Sequence, residues 1–339
     1  MRMVSSYSAF ARLVALGSLI VLGAYAQAQA QTDPLPSWNN GPAKQAILSF
    51  VRETTTEGSP KFVDPVARIA TFDQDGTTWV EQPLYAQGVF AFHQVGVMAA
   101  KDPKLKGVEP FKTVLSGDRE AIAKLTLPDL EKILAITHTG MTVEAFQKSV
   151  QDWIVAAQHP RFHRLYTELI YQPMLEVMQY LRTKGFRTYF VTGGGQDFVR
   201  VYSERVYGIP REQVVGSTGD TTFGYDKQGK SELTKVPKGV RVDDKSGKPI
   251  GIDLMIGRRP LAAFGNSTGD QQMLEYTQDG GGARLMMLVH HDDATREYAY
   301  GADSKIGTFS DALMAEANKR GWVVISMKND WKRIFAWEQ

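Results

Sequence analysis

The stretch RIATFDQDGT, residues 68–77, decides the fold, because a short apolar run stops abruptly at two carboxylates and a glycine. Such a run is typical of a buried strand in a parallel sheet. In open α/β sheets, ligands bind beyond the carboxyl ends of the strands. The stretch therefore predicts a parallel sheet with Asp73 and Asp75 at its functional edge.

Similar short apolar runs return in the second half of the chain and alternate with helical segments. They predict strands at 187–191, 213–216, 260–264 and 284–289, and the polar/apolar alternation of 221–236 predicts a hairpin. Strand–helix repetition of this kind indicates an α/β protein with a doubly wound parallel, Rossmann-like sheet core.

The segment that follows the first strand has a different pattern. It shows helical spacing over residues 83–100, 118–124, 127–137 and 143–157, separated by Pro, Gly and Asp, and no convincing strand alternation. We interpret it as a helical cap inserted into the core. The predicted organisation is a first core part at 31–78, a cap at 79–170 and a second core part at 171–339.

The first thirty residues have the pattern of a secretory signal peptide. Arg2 and Arg12 precede a 14-residue apolar stretch, LVALGSLIVLGAYA, that is short for a membrane span. Small residues offer cleavage sites after Ala26, Ala28 or Ala30. A signal peptide at 1–30 predicts a bacterial protein that is periplasmic or secreted.

Composition excludes several classes of function. The chain has 39 Lys and Arg against 37 Asp and Glu, a net charge of +2 that does not suit a protein coating nucleic acid. It has no cysteine, which removes disulfides, Cys-ligated zinc, iron–sulfur clusters and thiol nucleophiles. We expect a small-molecule ligand, and no nucleic-acid or membrane partner after signal cleavage; the oligomeric state is not readable.

Asp73 and Asp75 are suited to phosphoryl chemistry. Two carboxylates at i and i+2 repel each other unless a cation neutralises them, and Mg²⁺ takes one or two carboxylates together with water and substrate phosphate. Asp73 is a candidate nucleophile that would form an aspartyl-phosphate. Asp75 is a candidate acid for the leaving alcohol and base for the water. An ordinary Asp-Gly turn is the alternative.

Three further segments complete this candidate site. Thr192 with Gly193, Gly194 and Gly195 follows a strand and precedes a helix, as an anion cradle would. Lys248, with Lys245 as a rival, offers the fixed cation that phosphoryl transfer requires. Asn266 and Asp270, four residues apart after another strand, would complete a metal shell.

These motifs, in this order, resemble those of the haloacid dehalogenase-like hydrolase superfamily over about residues 68–290. FDQDGT resembles its DxDGT signature, and Thr192, Lys248 and residues 265–270 resemble its second, third and fourth motifs. The segment 185–216, together with the helical insert, is similar to the phosphoserine-phosphatase-like branch.

The resemblance implies a magnesium-dependent phosphatase with Asp73 as nucleophile and Asp75 as general acid/base. Thr192, Gly193, Gly194 and Lys248 would bind the phosphoryl group, and Mg²⁺ would lie on Asp73, the Asp75 carbonyl and the fourth motif, Asn266 and Asp270. One departure from the family pattern matters. The first acidic residue of the fourth motif is Asn266 here, so one negative charge is missing.

Residues directly after the nucleophile are candidates for substrate choice. Trp79, Glu81 and Tyr85 together would suit a cationic head such as choline, by cation–π contact and charge. The phosphoserine phosphatases carry an amine-binding Glu one position later, where this chain has Gln82. The alternative is that Trp79 and Tyr85 pack between cap and core. A basic cluster at 159–164 is either an anion site or a solvated loop.

Two other functions stay open at the level of sequence. GNSTG, residues 265–269, matches the nucleophile elbow of an α/β-hydrolase esterase with Ser267 as nucleophile, although the candidate partners Asp279 and His290 are crowded close behind it. The second alternative is a phosphoryl-ligand binding protein whose Asn266 marks decayed catalysis. His290 and His291 suggest zinc by composition, but neighbours in a strand point to opposite faces.

Overall fold

Strand β1 lies in the middle of the central sheet, and the segments predicted to carry the chemistry follow it and its neighbours. The computed structural model describes residues 33–338, so the predicted signal peptide at 1–30 lies outside the described residues. The strands are β1 Ile69–Phe72, β2 Arg187–Gly195, β3 Val214–Ser217, β4 Thr221–Tyr225, β5 Ser231–Lys235, β6 Ala262–Gly265, β7 Leu285–His290 and β8 Val323–Ser326.

The central sheet has the order β3-β2-β1-β6-β7-β8, and every neighbouring pair is parallel. Phe72, at the end of β1, lies opposite Phe190 in β2 and Phe264 in β6. Because the three strands are in this register, the residues that follow Phe72, Phe190 and Phe264 emerge together at one edge of the sheet.

Apolar residues cover the sheet on both faces. Phe190, Phe264 and Met287 belong to a large buried cluster on one face, and their neighbours Val191 and Ala263 belong to a second cluster on the other. Both clusters contain buried helix residues, so the strands are buried on both sides, as runs without alternation predict. The doubly wound α/β fold predicted from the sequence is confirmed.

The helices follow the predicted pattern with shifted ends. They are α1 Pro42–Thr55, α2 Ala86–Lys101, α3 Phe111–Ser116, α4 Arg119–Ile122, α5 Leu127–His138, α6 Val143–Ile154, α7 Gln172–Thr183, α8 Gln196–Val199, α9 Ser203–Tyr207, α10 Gly247–Ile256, α11 Gln271–Gln278, α12 Asp311–Arg320 and α13 Met327–Asp330, with 3₁₀ turns at Pro65–Ala67, Pro103–Gly107, Tyr166–Glu168 and Arg211–Gln213. The segment after β2 forms two short helices, α8 and α9, and α3 is an additional helix in the insert.

The segment between β1 and β2 is mainly helical and has a small core of its own. Ala91 and Val95 of α2 pack with Phe111 and Val114 of α3 and Ile133 of α5. This segment belongs to the same compact unit as the sheet, which extends from Leu35 onward. The insert therefore lies directly on the core rather than apart from it.

The predicted hairpin is formed by β4 and β5, which pair antiparallel as a separate two-stranded sheet. It contacts the insert, because Thr142 at the start of α6 bridges to Thr234 in β5. Among the described residues, no helix has the length and apolar character needed to cross a lipid bilayer.

Candidate active site

Asp73 is the first residue beyond β1, and the sheet fixes its position. Its backbone N–H donates to the carbonyl of Phe264 at 2.9 Å, which ties the start of the loop to β6. The residue is 7% exposed. The side chain therefore emerges at the carboxyl edge of the sheet in a nearly closed environment.

Lys248 joins three strand ends at one point. Its Nζ donates to Asp73 Oδ1 at 2.6 Å, to Asp270 Oδ1 at 2.6 Å and to the Val191 carbonyl at 2.8 Å. An ammonium has three N–H donors, so this geometry uses all of them. Lys245, in contrast, is exposed and has a positive φ of 51°. The structure therefore brings Lys248, not its rival, to the predicted nucleophile.

The charges in this cluster depend on each other. Burial and the nearby Asp270 raise the pKa of Asp73, while the ammonium of Lys248 opposes that rise. Burial would lower the pKa of Lys248, but Asp270 and Asp73 raise it well above its usual range. Lys248 is therefore a permanent cation held between two carboxyl groups.

Asp75 is held in place by a buried residue of the core. The indole Nε1 of Trp79 donates to Asp75 Oδ1 at 2.7 Å. Trp79 is completely buried and stacks on Tyr202 at 5.0 Å between ring centroids. Burial raises the pKa of Asp75 to about 6, against the effect of the Trp79 hydrogen bond. A carboxyl group with that pKa can both give and take a proton near neutral pH.

Gly76 gives this loop its tight turn. Its φ of +73° is in the left-handed region, and a Cβ there would lie 2.2 Å from both Asn266 Nδ2 and Glu81 Oε1. Any side chain would therefore meet strained backbone and a steric overlap together. The glycine of the DxDG pattern is required by the packing of the site.

The last residues of β2 form a smaller anion cradle than the glycine run predicts. Thr192 is buried, and its Oγ1 accepts from the Gly194 N–H at 3.0 Å. The Gly195 N–H donates to Gln87 Oε1 at 2.7 Å. Two of the three glycine N–H groups are thus satisfied within the protein. The Thr192 hydroxyl still has its own proton to donate to a bound oxyanion.

The loop after β6 encloses the carboxylate of Asp270. Its Oδ2 accepts from the backbone N–H groups of Asn266 at 2.9 Å and Ser267 at 3.0 Å, and its Oδ1 accepts from Lys248. Asn266 Oδ1 accepts from Thr77 Oγ1 at 3.0 Å, and the same hydroxyl lies 3.4 Å from Asp73 Oδ2. Thr77 therefore links the first and fourth motifs.

The oxygen donors at this edge fit a divalent cation such as Mg²⁺. Within residues 33–338, no three His, Asp or Glu side chains are grouped as a metal site. A site here would use carboxylate, amide and backbone carbonyl oxygens, which are the hard donors that Mg²⁺ prefers. The carboxyl groups of Asp73, Asp75, Glu81 and Asp270 share this edge with the ammonium of Lys248. A bound cation would allow these crowded carboxyl groups to be ionised together.

The structure places Glu81 and Trp79, predicted to bind substrate, against internal partners. Glu81 is 2% exposed, and its Oε1 accepts from Tyr300 Oη and from Asn266 Nδ2, both at 2.7 Å. Burial raises its pKa well above the usual range, against the effect of the Tyr300 hydrogen bond. Trp79 occupies the packing position that was the alternative for it. Neither side chain lies on an open surface.

Several residues near the site have no local sequence signal. Gln87 of α2 reaches from the insert to Gly195 and also contacts the Nε2 of His138 at 3.0 Å. His291 lies 2.7 Å from the carbonyl of Gly76 and 3.1 Å from Glu297. Gln87 and Gly195 are 108 residues apart in the sequence, and His291 and Gly76 are 215 residues apart. Local residue spacing cannot predict contacts over such separations.

The serine of GNSTG has no catalytic partner of the esterase type. Ser267 Oγ accepts from the Gly269 N–H at 3.1 Å and lies 3.3 Å from Asp270 Oδ2. In the described part of the chain, no histidine forms a hydrogen bond with it. The two histidines at the end of β7 have other partners, because His290 packs on Phe309 and His291 stacks on Tyr300.

Comparison with known proteins shows similarity at the level of fold. No protein-family model and no curated protein matches the sequence. A conserved, functionally unknown protein from Anaerococcus prevotii DSM 20548 is 14% identical with a TM-score of 0.53, over 84% of this chain and 91% of that one. A protein of unknown function from Bordetella pertussis Tohama I is 16% identical with a TM-score of 0.45, over 76% and 98%.

A phosphoserine phosphohydrolase-like protein from Francisella tularensis subsp. tularensis SCHU S4 is 17% identical with a TM-score of 0.37, over 74% of this chain and 98% of that one. At identities this low, the similarity concerns the arrangement of strands and helices. The chain therefore shares its overall α/β fold with the Anaerococcus protein.

Proposed function

We propose that this chain is a phosphomonoesterase of the haloacid dehalogenase-like type, which hydrolyses small phosphate esters through an aspartyl-phosphate on Asp73. The contact of Lys248 with Asp73, Asp270 and the Val191 carbonyl carries the proposal. It joins the three strand ends whose motifs resemble that superfamily, and it fixes a cation beside the proposed nucleophile. Such a cation stabilises charge on a transferring phosphoryl group.

In the first step, a carboxylate oxygen of Asp73 attacks the phosphorus atom, and the bond from phosphorus to the ester oxygen breaks. Asp73 Oδ1 is held by Lys248, whereas the one hydrogen bond to Oδ2 within residues 33–338 is the 3.4 Å contact with Thr77, so Oδ2 is the freer oxygen. The proton on Asp75 passes to the departing alcohol. The Thr192 hydroxyl would donate to a phosphoryl oxygen.

In the second step, Asp75, now ionised, takes a proton from water as that water attacks the phosphorus of the aspartyl-phosphate. Inorganic phosphate leaves, and Asp73 and the protonated Asp75 are regenerated. The hydrogen bond from Trp79 keeps the same Asp75 oxygen in place during both steps. One carboxyl group thus acts as acid and then as base.

Mg²⁺ is the cofactor that suits this site. Asp73, the Asp75 carbonyl, Asn266 and Asp270 are the residues that would hold it or support its ligands. When bound, it would neutralise charge on the phosphate and draw electrons from phosphorus. We also propose that the chain is exported, on the basis of the signal-peptide pattern at 1–30.

The substrate class is a small phosphate monoester. The sequence suggests phosphoserine- or phosphocholine-like esters, because Glu81 and Trp79 follow the nucleophile. Both side chains form hydrogen bonds with other residues of the protein, however, and these contacts do not support their role in binding such a substrate. A panel of phosphomonoesters that includes phosphoserine and phosphocholine, each tested with and without Mg²⁺, distinguishes these substrates by the rate of phosphate release.

A generic chromogenic ester tests the proposal itself. We expect purified protein to release p-nitrophenol from p-nitrophenyl phosphate in the presence of Mg²⁺, and Asp73→Asn to abolish the release. An inactive wild-type protein that still binds inorganic phosphate would favour the binding-protein alternative. Hydrolysis of p-nitrophenyl acetate that is lost in Ser267→Ala would favour the esterase alternative.

A further inference from the structure

Asn266 stands where the resembled family has an acidic residue, and its amide is fixed in one orientation. Its Nδ2 donates to Glu81 Oε1 at 2.7 Å, and its Oδ1 accepts from Thr77 Oγ1 at 3.0 Å. The Thr77 hydroxyl also lies 3.4 Å from Asp73 Oδ2. Glu81 therefore holds the amide with its oxygen turned toward Thr77, whose hydroxyl lies beside the nucleophile.

Glu81 occupies a pocket that is built for a carboxylate. Two glycines with positive φ, Gly76 and Gly307, line it so closely that a Cβ on either would lie 2.2 Å and 1.8 Å from Glu81 Oε1. Tyr300 Oη donates to the same oxygen at 2.7 Å, and the Tyr300 ring stacks on His291 at 4.3 Å. Segments from distant parts of the chain thus surround one acidic side chain.

This enclosure separates Glu81 from a role in direct contact with substrate. The residue is 2% exposed, and its Oε1 already has two donors. A group that bound a substrate amine would need an accessible oxygen. The carboxyl group of Glu81 therefore acts on its neighbours in the site rather than on a ligand that enters from solvent.

We propose that Glu81 and Asn266 together replace the missing carboxylate of the cation site, with Asn266 supplying the oxygen and Glu81 a buried carboxyl group that the bound cation keeps ionised. Glu81 is a positioning residue in this account, since it acts through the Asn266 amide. The inference rests on the proposed function, because that function supplies the cation. Residues that orient metal ligands commonly change metal affinity about 10- to 100-fold when they are mutated.

The pair makes an exchange experiment possible. In Asn266→Asp alone, two carboxyl groups would meet at the position of the present 2.7 Å hydrogen bond without an N–H between them. In Asn266→Asp combined with Glu81→Gln, the N–H would come from the amide at position 81 and the charge from the carboxylate at position 266. The double variant therefore keeps one amide, one carboxylate and a donor for their contact, with the two roles exchanged.

The test is a calorimetric titration of the full chain with MgCl₂, together with thermal unfolding without metal. We expect Glu81→Gln to bind Mg²⁺ at least about 10-fold more weakly than wild type. Asn266→Asp alone should unfold at a lower temperature in the absence of metal. The double variant should return to within about 3-fold of the wild-type Mg²⁺ affinity. Tyr300→Phe, which keeps the charge, should have a smaller effect than Glu81→Gln.

Glu176→Gln is the matched control, because Glu176 in α7 is also a buried carboxylate but accepts hydrogen bonds from the backbone N–H and the hydroxyl of Ser37. It should lower the unfolding temperature and leave Mg²⁺ affinity unchanged. Wild-type affinity in Glu81→Gln, or a double variant as weak as Glu81→Gln, would overturn the inference. If Glu81→Gln does not fold, the double variant alone decides, and loss of more than about 10-fold in it would contradict the exchange.

Failure of the inference can be told apart from failure of the proposed function. Asp73→Asn should weaken Mg²⁺ binding in the same titration. If wild type binds no Mg²⁺ in a manner that depends on Asp73, the proposed function is wrong as well. If that dependence holds and Glu81→Gln is unchanged, only the role of Glu81 is wrong.

Discussion

At the scale of single residues, Asp73, Asp75 and Lys248 have separate tasks in the proposed reaction. Asp73→Asn removes the carboxylate that attacks phosphorus and leaves an amide of similar size. We expect phosphate release to fall by about 10³-fold or more, since the covalent route is closed. Steady-state release from p-nitrophenyl phosphate measures this. An unchanged unfolding temperature would show that the loss is chemical, and substantial residual turnover would contradict the assignment.

Lys248 and Lys245 form a matched pair, because both are lysines near the start of α10. Lys248→Ala removes the ammonium that lies 2.6 Å from Asp73 and Asp270, and we expect kcat to fall by about 10²- to 10³-fold. Lys245 is exposed, and Lys245→Ala should stay within about twofold of wild type. Comparable losses in both variants would mean that the cation of the site is wrongly assigned.

The loss of rate on replacing Asp75 should depend on the leaving group of the ester. Its buried carboxyl, with a pKa of about 6, protonates the departing oxygen. Alkyl phosphates need that proton, whereas p-nitrophenolate leaves without it. Asp75→Asn should therefore slow the first step on an alkyl phosphate by about 10²- to 10⁴-fold, and much less on p-nitrophenyl phosphate. Rapid-mixing kinetics with the two esters make the comparison, and equal losses would contradict the role of Asp75 as an acid.

At the scale of elements, the loop after β1 depends on Gly76. Gly76→Ala would place a Cβ 2.2 Å from Asn266 and Glu81 in a left-handed backbone conformation, so we expect a loss of about 1–3 kcal/mol in the free energy of unfolding. Gly58 is the control, because its φ of +81° is also left-handed but a Cβ there would have nothing within 4 Å. Gly58→Ala therefore introduces backbone strain without steric overlap. Denaturant unfolding should show a clearly smaller loss for Gly58→Ala, and equal losses would contradict the packing argument.

The same elements show what the sequence can reveal. The strands were predictable because short apolar runs such as RIATF end at polar residues, and parallel register then brings their ends to one edge. Lys248 was predictable only as one of two lysines, since the choice depends on which side chain is buried. The partners of Glu81 were not predictable, because Tyr300 lies 219 residues away and nothing in local spacing records that contact.

Trp79 shows the opposite limit. An aromatic residue six positions after the nucleophile fits both a substrate site and a packed core by composition. Only the three-dimensional contacts, complete burial and stacking on Tyr202, distinguish the two. Its hydrogen bond to Asp75 then gives it a role that neither sequence interpretation contained.

At the scale of the whole molecule, the insert and the segment after β7 enclose an edge formed by three core strands. Gln87 connects the insert to the end of β2, and His291 and Tyr300 connect the segment after β7 to the loop after β1. The site is thus assembled from distant parts of the chain. The geometry around the Asp73 carboxylate, at which the proposed reaction takes place, therefore depends on the folding of all these segments.

The most direct test of that reaction is to trap the aspartyl-phosphate. In Asp75→Asn, p-nitrophenyl phosphate should react in the first step, whereas the second step lacks its base, so the intermediate should accumulate. We expect a burst of about one equivalent of p-nitrophenol and, after acid quenching, a phosphoryl group on the peptide that contains Asp73. The double variant that also carries Asp73→Asn should show neither the burst nor the phosphoryl group. Phosphate release without a burst and without label on that peptide would contradict the account.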